Sequence, residues 1–247
     1  MALQEAFEKQ GNWLFRKRSF LPLLIVIVGG GRYIFLLYHE TVAVHYWWVD
    51  FLFLCVGFFG LGIRILTVGF TPKGTSGRNT GAGQIAEQLN TAGIYSLVRH
   101  PLYLGNFFMW IAPVLILTDP WFTLFFCAFY WLYYERIMYA EEQFLRKKFG
   151  DIYLDWANKT PAFFPKFSLY KKSDFQFSFK NVLKREYNGF FGLVFTMTAF
   201  RLVGFAVSTQ QLYLDMPWII ISFIAFVVFS VLKMLKKFTK ILNVEGR

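Results

Sequence analysis

Two cysteines in 247 residues leave this chain with little scope for redox or soft-metal chemistry. Cys55 and Cys127 fall in separate apolar stretches, with the spacing of neither a metal knot nor a redox pair, so they are expected as small packing residues. No metal site and no disulfide is expected. Acidic side chains are also scarce: 15 Asp and Glu face 26 Lys and Arg, a net charge of +11. The glycine-rich run "TPKGTSGRNTGAG" (71–83) lacks the Gly-Lys-Ser/Thr ending of a phosphate-binding P-loop, so no nucleotide site follows from it. It still offers backbone N–H groups, Lys73 and Arg78 to an anion. A Ser-His-Asp or Cys-His arrangement for nucleophilic catalysis is missing, as are internal repeats and a separate soluble domain. The first apolar stretch lacks a small-residue cleavage site, which argues for a retained span and against a signal peptide.

What the chain does hold is apolar and aromatic. Hydrophobic residues make up 56% and aromatics 21%, including 32 Phe and 8 Trp, more than a soluble domain of this size uses. Bilayer spans of roughly 20 apolar residues reconcile that with the charge. Six are expected, at about 20–38, 47–69, 102–118, 120–139, 190–208 and 215–234. The fold class is therefore an all-α integral membrane protein with about six transmembrane helices, organised as a single polytopic domain over 1–247. Within it, 1–83 holds an amphipathic N-terminal helix, two spans and the glycine-rich loop; 84–166 holds the polar core with a helical hairpin; 167–247 holds a basic connection and two spans. Lys and Arg cluster in the N-terminal segment, the loop before the third span, the segment 146–185 and the C-terminal tail, whereas "HETVAVHY", "TDP" and "TQQLYLD" carry none. That asymmetry predicts both termini in the cytoplasm. It also accounts for the net charge as attraction to anionic lipid, so no nucleic-acid partner is expected.

Chemistry-bearing residues gather between 88 and 165. In "GIYSLVRHPLYLGN" (93–106) Arg99 and His100 stand at the mouth of the third span, and Pro101 takes a first-turn position that needs no N–H. Free turn N–H groups, the helix dipole and the two basic side chains make an anion site. In "YERIMYAEEQFLRKKFG" (134–150) Glu135, Tyr139, Glu142 and Arg146 fall within about 40° of one another on a helix. The "TDP" hairpin brings that stripe near Arg99 and His100. In "FGDIYLDWANKTPAFFP" (149–165) Gly150 ends the helix, and Tyr153 and Trp156 form an aromatic ledge.

Together "GIYSLVRHPLYLGN" and "EEQFLRKKFGDIYLDWANKTPAFFP" resemble the isoprenylcysteine carboxyl methyltransferase superfamily, which includes phospholipid methyltransferases. The extra "NKTPAF" strip is similar to a bacterial subgroup that includes lipid A 1-phosphate methyltransferase. The resemblance implies an integral membrane enzyme of the bacterial inner membrane, with S-adenosylmethionine in a cytoplasm-facing pocket and a lipid substrate entering from the bilayer. It places Tyr95, His100, Tyr103, Gly105 and Glu142 at the cofactor. Arg99, Glu141 and Arg136 are the catalytic candidates, and Lys73, Arg78 and Arg64 the substrate-binding ones. The family commonly has an Arg four residues before the first Glu of the pair; here Ile137 holds that position and Arg136 is adjacent.

The residue chemistry agrees with such a ligand, because a carboxylate, an ammonium and a sulfonium call for cationic, anionic and aromatic partners. Methylation of a lipid phosphate is the expected reaction. A prenylcysteine carboxylate or a phospholipid amine is the alternative, the amine giving Glu135, Glu141 or Tyr139 a deprotonating role. A dinucleotide-dependent sterol-type reductase is a second enzyme class. A transporter is a third, suggested by Arg32, Arg64 and Arg201 inside predicted spans. Arg64 and Arg201 could equally pair with carboxylates.

Overall fold

The computed structural model describes residues 2–18, 21–72, 75, 78–80 and 83–244, with backbone alone at 21–22, 78–80 and 83–85. Eight α-helices are described: α1 (Leu3–Lys17), α2 (Leu21–Tyr38), α3 (Trp47–Gly69), α4 (Pro101–Leu115), α5 (Pro120–Phe149), α6 (Asp151–Ala157), α7 (Phe179–Thr209) and α8 (Met216–Phe238). A small antiparallel hairpin, β1 (Arg78–Thr80) with β2 (Gly83–Ile85), occupies the glycine-rich loop.

The expectation of about six spans is corrected here. Among the described residues three helices, α3, α7 and α8, are long and apolar enough to cross a membrane. The described apolar stretch of α2, Leu23–Tyr38, and the whole of α4 are shorter. At 1.5 Å per residue the 15 residues of α4 cover about 22 Å, short of a hydrocarbon core of about 30 Å. Helix α5 has 30 residues, but Tyr and Trp dilute its first half and charges fill it from Glu135 onward. The chain is an all-α, multi-pass integral membrane protein with fewer full spans than its apolar segments suggest.

Local signals set the helix ends. Asp119 caps α5 by accepting from the backbone N–H groups of Trp121 (3.0 Å) and Phe122 (3.3 Å), and Pro120 follows at the first helical position. Gly150, at φ 53°, stops α5 and turns the chain into α6. Helix α3 packs along α4 through paired glycines: a Cβ on Gly105 would lie 2.6 Å from Arg64 Cγ and 2.7 Å from the Gly60 carbonyl oxygen. Helix α1 does not lie free on a surface. Phe15 is buried, Gly11 fits against the Arg136 carbonyl of α5, and Leu3 and Trp13 remain exposed.

Two apolar clusters hold the bundle, one around Val98, Tyr103, Phe126, Tyr130 and Ile137, the other around Leu54, Ala112, Val194, Met197 and Trp218. Every arginine expected inside a span has a carboxylate partner. Arg32 donates to Asp119 (2.7 Å), Arg64 to Glu186 (2.7 and 2.9 Å), and Arg201 to Asp50 (2.5 Å) and Asp215 (2.6 Å). Arg201 and Asp50 are both 1% exposed and join α7 to α3, with His45 Nδ1 3.0 Å from the same Asp50. Removing one partner of so buried a pair strands the other charge. Arg201→Ala is therefore expected to cost about 3–5 kcal/mol, read as a lowered unfolding midpoint of the purified protein. An unchanged midpoint would show that the pair holds nothing together.

Candidate functional site

The 93–100 segment is held from outside by the chain that follows α6. Gly93 bridges to Lys171, the N–H groups of Arg99 and His100 donate to the carbonyls of Pro161 (2.9 Å) and Ala162 (3.2 Å), and Lys166 N–H donates to Leu97 (3.0 Å). The proline-bracketed strip thus braces the Arg99–His100 turn. Ser96 adds to it, its hydroxyl accepting from Lys171 N–H at 2.9 Å.

Glu142 is the hub. Its Oε1 accepts from Arg99 Nε and from His100 Nε2, both at 2.9 Å. Arg99 Nη1 then donates to the carbonyls of Ala157 (2.6 Å) and Thr160 (2.9 Å), satisfying the last turn of α6 and the residues after it. The neighbouring Glu141 accepts from Tyr103 (2.9 Å) and lies 3.7 Å from His100 Nδ1. Burial alone would raise the Glu142 carboxyl, but the hydrogen bond and charge of His100, with Arg99 behind them, hold it below its ordinary range. The Tyr95 hydroxyl is pushed up, first by burial and then by the Glu141 charge, so it stays protonated.

Tyr95, Arg99, His100, Tyr103 and Glu141 form one end of a half-open cavity of about 570 Å³ between α4 and α7. That volume is typical of small-molecule sites. Arg64, anchored by Glu186 and by Asn106 (2.7 Å), lines the same space, as do Arg18, Arg185 and Lys236. Behind the wall of Tyr95, Arg99, His100 and Glu141 lies a recess of about 10 Å³, room for about one water. Tyr153 Oη and Trp156 Nε1 are both buried and have no hydrogen-bond partner among the described residues, and both residues line that recess.

Of the expected site residues, Tyr95, Arg99, His100, Tyr103, Glu141 and Arg64 meet at the cavity, and Glu142 stands directly behind them. Gly105 sits at the α3–α4 crossing. Arg136 turns to α1: it pairs with Glu135 (2.9 Å) and its guanidinium lies 3.4 Å from the Phe7 ring centroid. Tyr139 meets the same Phe7, so the expected stripe divides between two helices. Lys73 and the Arg78 side chain lie outside the described residues. The sequence reading missed Asn106, although it belongs to the quoted motif, and Glu186, an acid inside a basic run.

The pH dependence of stability follows from the lowered Glu142 carboxyl. A group whose folded value lies below its unfolded one stabilises above the unfolded value and loses that contribution as pH falls through the folded one. The stability lost in Glu142→Gln should therefore be full at neutral pH and shrink below about pH 4.5, the ordinary carboxyl value. Thermal unfolding of both proteins across pH measures it; a difference that grows on acidification would contradict the assignment.

A family model described as "Phospholipid methyltransferase" matches residues 51–152, which run from within α3 to the start of α6. The cobalt-zinc-cadmium resistance protein CzcN of Cupriavidus metallidurans is 33% identical over 126 residues, 50% of this chain and 54% of that protein. The protein-S-isoprenylcysteine O-methyltransferase of Schizosaccharomyces pombe is 37% identical over 78 residues, 31% of this chain and 33% of that one. A probable enzyme of the same name from Oryza sativa subsp. indica is 33% identical over 126 residues, 49% of this chain and 63% of that protein. The chain spans about half the length of the first of these relatives. No solved structure matches. The matches give no specific support for a lipid A subgroup. Residues 51–152 thus match the phospholipid methyltransferase family, and part of the chain is similar to protein-S-isoprenylcysteine O-methyltransferases.

Proposed function

We propose that this protein is an S-adenosylmethionine-dependent methyltransferase acting on the acid group of a lipid-anchored acceptor, with the basic end of its helical bundle facing the cytoplasm. The observation that carries this reading is the cavity between α4 and α7, which joins a polar end to an apolar groove. Its donor set fits the cofactor. Glu141 beside the rings of Tyr95 and Tyr103 suits cationic groups, and His100, Arg64 and Asn106 suit a carboxylate. Tyr95, His100, Tyr103 and Glu141 are the residues that would hold it. Bound there, S-adenosylmethionine supplies an electrophilic methyl group.

The protein's own task is then orientation and exclusion of water. Glu142 and Arg99 act as positioning residues, because they fix His100. The wall from Tyr95 to Glu141 closes the cavity on the α6 side. Two carboxylates line the cavity, Glu141 held by Tyr103 and Glu186 by Arg64, and Glu142 behind the wall pairs with Arg99, against five Arg and Lys side chains in the lining. That balance favours an acceptor already negative at neutral pH, which needs no general base. The isoprenylcysteine O-methyltransferases among the relatives support a carboxylate over the phosphate first expected.

The test is transfer of label from methyl-labelled S-adenosylmethionine in purified protein offered N-acetyl-S-farnesylcysteine, phosphatidylethanolamine or an alkyl phosphate. The expected product is a base-labile ester that releases labelled methanol. A base-stable methylamine would overturn the acid acceptor, and absence of any transfer together with absence of cofactor binding would overturn the methyltransferase. In the same assay His100→Ala is expected to weaken cofactor affinity by about 10- to 150-fold, the loss of one charge-assisted contact.

A further inference from the structure

Between α6 and α7 the chain runs as a strap, 161–180, across the ends of α4 and α3. It is pinned to α3 where Ser178 N–H donates to the Gly69 carbonyl (3.0 Å) and the Asn181 side-chain amide to that of Val68 (2.9 Å). Phe177 fills the notch at Gly69 and meets Phe70 edge-on, 5.3 Å between ring centroids. Phe163 anchors the other end, buried against Trp131 and Phe107. Because α3 is long enough to cross a membrane and ends at Gly69, the strap lies where hydrocarbon gives way to headgroups. Its remaining rings face out. Phe164, Phe167, Tyr170 and Phe179 are all exposed, Phe167 at 78%. The 3₁₀ turn at Phe167–Leu169 brings Phe167 and Tyr170, three residues apart, onto one side. Among them stand exposed Lys166, Lys171, Lys172 and Lys180, against the single acid Asp174.

We propose that the outer face of this strap docks on anionic phospholipid headgroups, and that seating it there stiffens the cavity wall. Aromatic rings favour the membrane interface and lysines a negative surface, and the strap interleaves the two. A soluble acidic protein would match the charge but would leave the exposed rings at the bilayer boundary unexplained. The link to the wall runs through the backbone. The carbonyls of Pro161 and Ala162 hold the N–H groups of Arg99 and His100, and Lys166 N–H donates to Leu97. A strap fixed from outside opens less often, so the amides it holds exchange more slowly. This goes beyond the proposed function and does not depend on it, because lipid contact and amide exchange are read without a methyl donor.

The experiment uses the full chain in nanodiscs of phosphatidylcholine, alone or mixed with phosphatidylglycerol. Versions of both lipids with a diazirine on the headgroup are cross-linked to the protein and mapped by mass spectrometry, and hydrogen exchange is followed at Arg99 and His100. The phosphatidylglycerol probe is expected to label 164–172 severalfold more than the phosphatidylcholine probe, a preference that high salt removes. Exchange at the two amides should slow severalfold when phosphatidylglycerol is present, and soluble glycerol phosphate should not reproduce the effect. Lys166→Gln with Lys171→Gln and Lys172→Gln should abolish both the preference and the slowing. Lys233→Gln with Lys237→Gln and Lys240→Gln takes the same charge from the C-terminal end of the chain and should leave both. Equal labelling by the two probes overturns the docking surface, as does a preference that survives the strap variant or is lost equally in the C-terminal one. Slowing by glycerol phosphate would mean a free-anion site and overturn the lipid. A labelling preference without slower exchange overturns the link to the wall.

Discussion

One carboxylate oxygen organises the polar half of this molecule. Glu142 Oε1 accepts from both Arg99 and His100, and so ties the far end of α5 to the first turn of α4. This joint adds to the Tyr103–Glu141 hydrogen bond and to the packing of Tyr103 against Tyr130, which also hold the two helices together. The joint also propagates. Arg99 reaches past Glu142 to the carbonyls at the end of α6, and the strip after α6 returns its own carbonyls to the backbone of Arg99 and His100. The cavity wall is the inner surface of this closed circuit. Its cost is desolvation of a carboxylate, which two charge-assisted hydrogen bonds offset.

The same rule governs the apolar part. Arg32, Arg64 and Arg201 each sit within apolar helices, and each is paired with a carboxylate from another helix. Two of these pairs brace the end of the bundle away from the site. The third, Arg64 with Glu186, lines the cavity and is completed by Asn106. A transport path would need polar groups strung from one face to the other. Among the described residues the arginines within the helices form self-neutralised clusters instead.

Local chemistry was legible in the sequence where a signal and its consequence lie close together. Pro101, Asp119–Pro120 and Gly150 mark helix ends, and the hairpin they define puts Glu141 and Glu142 beside His100. What the sequence hid depends on length or on distant partners. The six apolar segments were counted as spans, but α4 is too short and α5 loses its apolar character halfway along. Helix α7 begins at Phe179, well before the apolar run, because its first turns are polar and capped by Ser178. Glu186 lies 122 residues from Arg64, a pairing no local pattern shows. Arg136 was a candidate through the family resemblance and Tyr139 through its place on the helical stripe; α1 packs on α5, and both side chains have Phe7 as their neighbour.

On the proposed function, the Arg99–Glu142 joint builds the wall against which the methyl donor would rest. A double-mutant cycle of Arg99→Ala and Glu142→Ala, read as S-adenosylhomocysteine affinity by calorimetry, tests it most directly. Each single variant is expected to weaken binding and the double variant to be little worse than the weaker single one, a coupling of about 1–3 kcal/mol. Strictly additive losses, or unchanged affinity in both single variants, would contradict it.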